Sequence, residues 1–141
     1  MKRISTVLLL FSIAIFLTAC SSDGGVEISC DEFYENEHQT AEIKFGVGEE
    51  FTLTLCSNPT TGFLWSEEAD ISNGEILQQV SHEFVAPGNE DNPPPPGSPG
   101  QEIWTFTALK GGSGTISLEY SRPWEGGEKG EWTFTLTVNV E

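Results

Sequence analysis

Four stretches of the chain alternate apolar and polar residues with a period of two, the pattern of strands that bury one face. They are residues 50–55, 102–109, 115–121 and 131–140. In the most regular stretch, the apolar face consists of Trp132, Phe134, Leu136, Val138 and Val140. Aromatic and β-branched residues of this kind favour strands. Because no stretch after residue 20 shows a convincing helical period of 3.6 residues, the sequence predicts an all-β fold.

Weaker strand signals occur at residues 26–30, 41–45, 64–68 and 76–85. Clusters of glycine, serine and asparagine separate the strands and indicate turns. Seven to eight short strands with this spacing predict a sandwich of two antiparallel sheets, with the core between their inner faces.

Three connections are longer or richer in special residues than plain turns. They are residues 57–63, residues 87–100, which contain six of the eight prolines, and residues 122–131. Four consecutive prolines in the second connection favour an extended polyproline conformation. Long loops on a small rigid sandwich often carry function, so we expect binding residues here.

The first 19 residues have the pattern of a signal peptide rather than of a folded element. A basic start, Met1-Lys2-Arg3, precedes an apolar run at residues 7–17 that is short for a membrane span. The run ends in Leu17-Thr18-Ala19-Cys20, which resembles the lipobox of bacterial-type lipoproteins. That resemblance implies cleavage before Cys20 and lipid on its sulfur. An ordinary secretory signal or an N-terminal anchor helix is the alternative.

Residues 20–25 then form a lipidated tether, and residues 26–141 form one domain, a length that suits a single core. Such a protein is exported and lipid-anchored to the cell envelope. The lipid is its only expected contact with a membrane.

The chain after the signal peptide is strongly acidic. All 22 acidic residues and only four cationic ones lie there, which gives a net charge of −18. This charge argues against nucleic acid and against an anionic membrane surface as partners.

Two cysteines, Cys30 and Cys56, remain once Cys20 carries lipid. In an exported protein they are expected to form a disulfide, although two buried free thiols remain the alternative.

The residues that catalysis or metal binding requires do not cluster in the sequence. His38 and His82 are far apart and are interpreted as lone surface histidines. No nucleophile elbow, phosphate loop or dinucleotide fingerprint occurs. We therefore expect no enzyme activity, no metal and no cofactor.

Two motifs give the loops a more specific meaning. Asn58-Pro59-Thr60-Thr61-Gly62-Phe63-Leu64-Trp65 closely resembles the NPTTG-F-x-W motif of the chagasin family of cysteine peptidase inhibitors. Arg122-Pro123-Trp124 matches that family's R-P-W motif. Between them, Gly97-Ser98-Pro99-Gly100 is similar to the family's G-x-G-G loop, with Pro99 in place of a glycine.

The resemblance implies an immunoglobulin-like sandwich whose three loops gather at one end and reversibly block the cleft of a papain-like cysteine peptidase. The peptidase-binding residues it implies are Asn58, Pro59, Thr60, Thr61, Gly62, Gly97, Ser98, Pro99, Gly100, Arg122, Pro123 and Trp124. Backbone groups and the two threonine hydroxyls would meet polar atoms of the cleft. Such an inhibitor acts as a monomer.

Three points stay open at the level of sequence. Trp124 is expected as the exposed anchor of the third loop, with packing at the sandwich edge as the alternative. Phe63 and Trp65 fit the core even if the tip before them is functional. The alternative function is a non-catalytic immunoglobulin-like surface binding module of an envelope lipoprotein, and a purely structural envelope lipoprotein ranks third.

Overall fold

The computed structural model describes residues 24–141. The predicted signal peptide, the predicted lipidation site Cys20 and most of the predicted tether lie outside the described residues. The described chain forms nine strands, β1 (Gly25–Ile28), β2 (His38–Phe45), β3 (Glu50–Ser57), β4 (Leu64–Trp65), β5 (Asp70–Ile71), β6 (Leu77–Val85), β7 (Gly100–Ala108), β8 (Gly112–Ser121) and β9 (Trp132–Val140). One helix, α1 (Cys30–Glu35), and one 3₁₀ turn, Pro59–Thr61, complete it.

The strands form two sheets that face each other, as the alternating pattern predicted. One sheet has the order β1-β3-β7-β6, and the other has the order β2-β9-β8-β4, with β5 also pairing with β8. In β3, β7, β8 and β9, one face points inward, and most apolar side chains on that face are buried. The largest fully buried side chains include Trp104, Phe51, Phe106 and Phe134.

The pairing direction of the two N-terminal strands differs from the expected antiparallel sheets. β1 runs parallel to β3, and β2 runs parallel to β9, so each sheet is mixed. Period-two alternation shows which face of a strand is buried, but it carries no information about the direction of its neighbour. The described chain has one strand more than the seven to eight expected. The unexpected strand is β5, which has only two residues, too few for an alternating pattern to reveal.

The helix α1 begins directly after β1, in a region where no helix was expected. Ser29 and Glu32 form a capping box at its N-terminus, and the Phe33 side chain enters the core. Six residues are less than two turns, so a period of 3.6 cannot be recognised in them. The expected disulfide between Cys30 and Cys56 is present and ties α1 to the end of β3.

Candidate functional site

Strand register brings the three connections together at one end of the sandwich, here called the loop end. Loop 1 (residues 58–63) follows β3, loop 2 (residues 86–99) precedes β7, and loop 3 (residues 122–131) follows β8. Ser57 pairs with Gly100 in the sheet, so loop 1 begins where loop 2 finishes. Leu64 pairs with Ser121, so loop 1 finishes where loop 3 begins.

Loop 1 is a tight turn that is closed by its own hydrogen bonds. The Thr61 and Gly62 N–H groups donate to the carbonyls of Asn58 and Pro59 at 3.1 and 3.0 Å. Gly62 ends the turn with φ of 83°, a left-handed conformation that favours glycine. Pro59 at the start of the turn fixes a further backbone angle. The tip is therefore rigid before it meets any partner.

Both threonine hydroxyls donate hydrogen bonds inside loop 1, although their side chains are exposed. Thr60 Oγ1 donates to Asn58 Oδ1 at 2.6 Å, and Thr61 Oγ1 donates to the Asn58 carbonyl at 2.7 Å. The hydroxyl hydrogens are thus already committed, and only lone pairs remain for a partner. If these hydroxyls meet polar atoms of a cleft, as expected, they therefore do so as hydrogen-bond acceptors.

Asn58 is nearly buried and connects loop 1 to its surroundings. Only 9% of its surface is exposed. Its backbone N–H donates to the Tyr120 hydroxyl at 2.9 Å, and its side-chain Nδ2 donates to the Gly97 carbonyl in loop 2 at 3.0 Å. Asn58 therefore acts as a support beneath the tip rather than as part of its surface.

Loop 2 turns at the end of its run of four prolines. The Ser98 N–H donates to the Pro95 carbonyl at 3.2 Å across a turn at Pro96-Gly97, where Gly97 has φ of 82°. Proline followed by glycine with positive φ is the signature of a type II turn. This turn points the Gly97 carbonyl at Asn58. The run of prolines thus ends in a turn, and the chain changes direction at Gly97.

The other residues of the glycine motif lie in different environments. Ser98 and Pro99 are partly exposed, whereas Gly100 is buried as the first residue of β7. A side chain at Gly100 would come within 2.4 Å of the Val85 carbonyl, so the strands require glycine there.

Loop 3 is organised around Arg122. Its guanidinium pairs with the Glu128 carboxylate, donates from Nη2 to the Thr61 carbonyl at 3.3 Å, and lies over the Phe63 ring at 4.5 Å. Lys129 Nζ donates to the backbone carbonyls of Arg122 and Trp124. Arg122 thus forms an ion pair within loop 3, and the same side chain joins loop 3 to loop 1.

Trp124 lies on the surface and rests on Gly62. Its side chain is exposed, with 52% of the residue surface accessible, and Pro123 beside it is exposed too. A Cβ atom on Gly62 would lie 2.6 Å from the Trp124 ring, which shows how closely loops 1 and 3 approach. The structure thus favours the exposed position of Trp124 over packing at the sandwich edge.

Comparison with known proteins places this loop arrangement in a family. Residues 44–138 match the model of the chagasin family of peptidase inhibitors, "Chagasin family peptidase inhibitor I42". Chagasin of Trypanosoma cruzi is 32% identical over 105 residues, which cover 73% of this chain and 92% of that protein. The chain belongs to the chagasin family.

Solved structures with the same fold agree with this assignment. The crystal structure of EhICP2, a cysteine protease inhibitor from Entamoeba histolytica, matches with a TM-score of 0.58 at 23% identity, covering 74% of this chain and 95% of that one. PbICP-C, solved in complex with falcipain-2, matches with a TM-score of 0.57 at 16% identity, covering 83% of this chain and 98% of that one. At these identities the likeness supports the fold alone.

An aromatic cluster supports the chagasin-family loops from below. Trp65 is buried, and the half-buried Phe63 ring stacks on Tyr120 at a centroid distance of 5.5 Å. The Phe33 ring of α1 packs against the rings of Tyr120 and Trp132, with centroid distances of 5.2 and 5.4 Å. Burial raises the pKa of Tyr120 above its ordinary value, although the Asn58 N–H bond acts in the opposite direction.

Sequence reasoning missed a buried polar network next to this cluster. Glu102, with 3% of its surface exposed, contacts the Ser57 hydroxyl at 2.6 Å and His82 Nε2 at 2.7 Å. His82 is therefore not a lone surface histidine as interpreted, whereas His38 is exposed and contacts Thr133. The position of Glu102 was a usable signal, because it shares the inward parity of Trp104 and Phe106.

The described residues contain no cluster of three or more His, Cys, Asp or Glu side chains placed to hold a metal ion. Across residues 24–141, no helix has the length and apolar character needed to cross a membrane.

Proposed function

We propose that this chagasin-family protein is a reversible inhibitor of papain-like cysteine peptidases that fills the active-site cleft with its three loops. The observation that carries the proposal is the joining of the loops into one wedge. Asn58 Nδ2 links loop 1 to loop 2, and Arg122 and Trp124 link loop 3 to loop 1.

The wedge is suited to a cleft because it is rigid and its tip is uncharged. Pro59, Thr60, Thr61 and Gly62 carry no charge, so burying them leaves no ion without a partner. The internal hydrogen bonds of loop 1 fix its shape beforehand, which lowers the entropy that binding must overcome. The wedge blocks chemistry rather than performing it, so the protein acts without catalysis or cofactor.

The exposed residues of each loop contact a different part of the peptidase cleft. Loop 1 covers the catalytic cysteine, Trp124 and Pro123 contact the leaving-group side, and Gly97, Ser98 and Pro99 lie along the side that binds residues before the scissile bond. Trp124 has the exposure and the apolar area of an interface anchor. Asn58, Gly100 and Arg122 hold these contact residues in place.

The protein acts as a monomer at the cell envelope, exported and anchored through lipid on Cys20. The disulfide between Cys30 and Cys56 supports export, because disulfides persist in oxidising compartments. Labelling cells with a radioactive or alkynyl fatty acid tests the anchor. The wild-type protein is expected to take up label and Cys20→Ser is not, and label on both would contradict lipidation at Cys20.

The inhibition itself is tested by titrating papain with the purified protein while the hydrolysis of a fluorogenic peptide is followed. We expect activity to fall linearly to a stoichiometric end point and to return after dilution, with the inhibitor uncleaved. Activity that stays unchanged across a panel of papain-like peptidases would favour the surface binding module instead.

A further inference from the structure

A buried carboxylate lies beneath loop 1, outside the surface that the proposed function uses. Glu102 lies on β7, between β3 and β6, and all three strands direct a polar side chain inward at this point. Its Oε1 accepts from the Ser57 hydroxyl at 2.6 Å, and its Oε2 lies 2.7 Å from His82 Nε2. The His82 ring in turn packs against Trp104 at a centroid distance of 4.9 Å.

The same carboxylate oxygen reaches both ends of loop 1. Ser57 is the residue directly before the loop, and Trp65 follows it in β4. The Trp65 backbone N–H also points at Glu102 Oε1, at 3.5 Å. Trp65 Nε1 donates to the Cys56 carbonyl at 2.9 Å, which adds a second link between the two ends.

Burying a carboxylate such as that of Glu102 costs free energy, and its hydrogen bonds must offset that cost. A carboxylate without water needs donors and a nearby cationic or polar partner. Here the donors come from three strands and from both sheets, since β4 belongs to the sheet opposite β7. Removing the carboxylate leaves the Ser57 hydroxyl, the Trp65 N–H and His82 Nε2 without this acceptor.

We propose that Glu102, held by His82, is a positioning residue for inhibition, because it fixes the distance between the two ends of loop 1. This inference rests on the proposed function, since the loop it positions is the one that enters the peptidase cleft. The hydrogen bonds of Glu102 go to Ser57, Trp65 and His82, and none goes to residues 59–62 at the exposed tip.

The experiment compares Glu102→Leu with Glu102→Gln and with Glu42→Leu. Glutamine keeps an oxygen that Ser57 and Trp65 can bond, whereas leucine keeps only the volume. Glu42 is the matched control, because it accepts a hydrogen bond from Asn139 on an exposed strand face away from loop 1. Each variant is measured for papain inhibition, and hydrogen exchange of the 57–65 segment is compared with that of the 132–140 segment.

We expect Glu102→Leu to raise the inhibition constant at least about tenfold and to speed exchange selectively in residues 57–65. Glu102→Gln should restore inhibition to within about threefold of wild type. Glu42→Leu should change neither readout. A folded Glu102→Leu variant with wild-type inhibition and wild-type exchange in residues 57–65 would overturn the inference.

Two further readouts keep the test decisive. If Glu102→Leu does not fold, Ser57→Ala removes only the hydroxyl bond and is expected to speed exchange in the same segment; unchanged exchange there would overturn the inference. If the wild-type protein inhibits no papain-like peptidase, the proposed function fails, while the exchange comparison still decides whether Glu102 fixes loop 1.

Discussion

Three residues set the geometry of the loop end, and each acts through a different contact. Asn58 holds loop 1 to loop 2 through the Gly97 carbonyl, Arg122 holds loop 3 to loop 1 through the Thr61 carbonyl, and Gly62 leaves room for the Trp124 ring. All three are partly or fully hidden from solvent, so their main role is to shape the wedge.

Gly62→Ala is expected to weaken papain inhibition more than about tenfold. The new Cβ would lie 2.6 Å from the Trp124 ring and displace it. A residue with a side chain at this positive φ also costs roughly 1–2 kcal/mol of stability. The matched control is Gly48→Ala, where φ is 85° and nothing lies within 4 Å. Both variants should lose similar stability in urea unfolding, and equal inhibition by both would contradict the contact.

Trp124→Ala is expected to weaken binding by about 2 kcal/mol or more, as truncation of interface aromatics often does. The fold should survive, because the side chain is half exposed. Leu109→Ala is the control, since Leu109 is an exposed apolar residue in the turn after β7, at the opposite end of the sandwich. Inhibition constants and melting temperatures separate the outcomes, and a Trp124→Ala protein that melts early but inhibits normally would assign Trp124 to the core.

Tyr120 is expected to make the fold sensitive to alkaline pH. Burial raises its pKa in the folded protein above the ordinary value of about 10. Below pH of about 10 the phenol is protonated in both states, so its contribution to stability is constant. At higher pH the unfolded chain loses the proton first, and the free energy of unfolding falls until the folded pKa is passed.

Urea unfolding between pH of about 9 and about 11 measures this fall. Tyr120→Phe should reduce the fall in the free energy of unfolding. Tyr34 is the exposed tyrosine of α1, so Tyr34→Phe should leave this fall unchanged. An identical pH slope in Tyr120→Phe would refute the role assigned to Tyr120.

At the scale of elements, alternation predicted where strands lie but not how they pair. The stretches predicted at residues 115–121 and 131–140 correspond to β8 and β9. They were recognisable because each strand buries every second residue against the other sheet. The parallel pairing of β2 with β9 joins segments more than 90 residues apart, and no local pattern encodes it. The helix α1 depends on a capping box, a disulfide and one buried phenylalanine rather than on a period.

Reduction of the Cys30–Cys56 disulfide is expected to lower the free energy of unfolding by about 3.5 kcal/mol. The bond closes a loop with a sequence separation of 26, and chain entropy gives roughly this value. Urea unfolding of the wild type and of the Cys30→Ser, Cys56→Ser double variant measures it. Because the link also ties α1 to the end of β3, we expect faster hydrogen exchange in α1; unchanged stability would show that α1 is held by packing alone.

At the scale of the whole molecule, the sandwich turns motifs that are far apart in the chain into one surface. The motifs at residues 58–65 and 122–124 could be read from sequence because their residue types are specific. The contacts between them could not, since they depend on the register that sets Leu64 opposite Ser121. The inward position of Glu102 could be read from the alternation, but its partners could not, because they come from different strands.

The central claim is that this assembled surface covers the catalytic cysteine of the peptidase, and alkylation of that cysteine tests it most directly. Papain is treated with iodoacetamide alone and with a stoichiometric excess of the protein, and modification is followed by mass spectrometry. At concentrations well above Kd, we expect the alkylation rate to fall at least about tenfold, with the protein intact. Alkylation at an unchanged rate in a complex that demonstrably forms would contradict the claim.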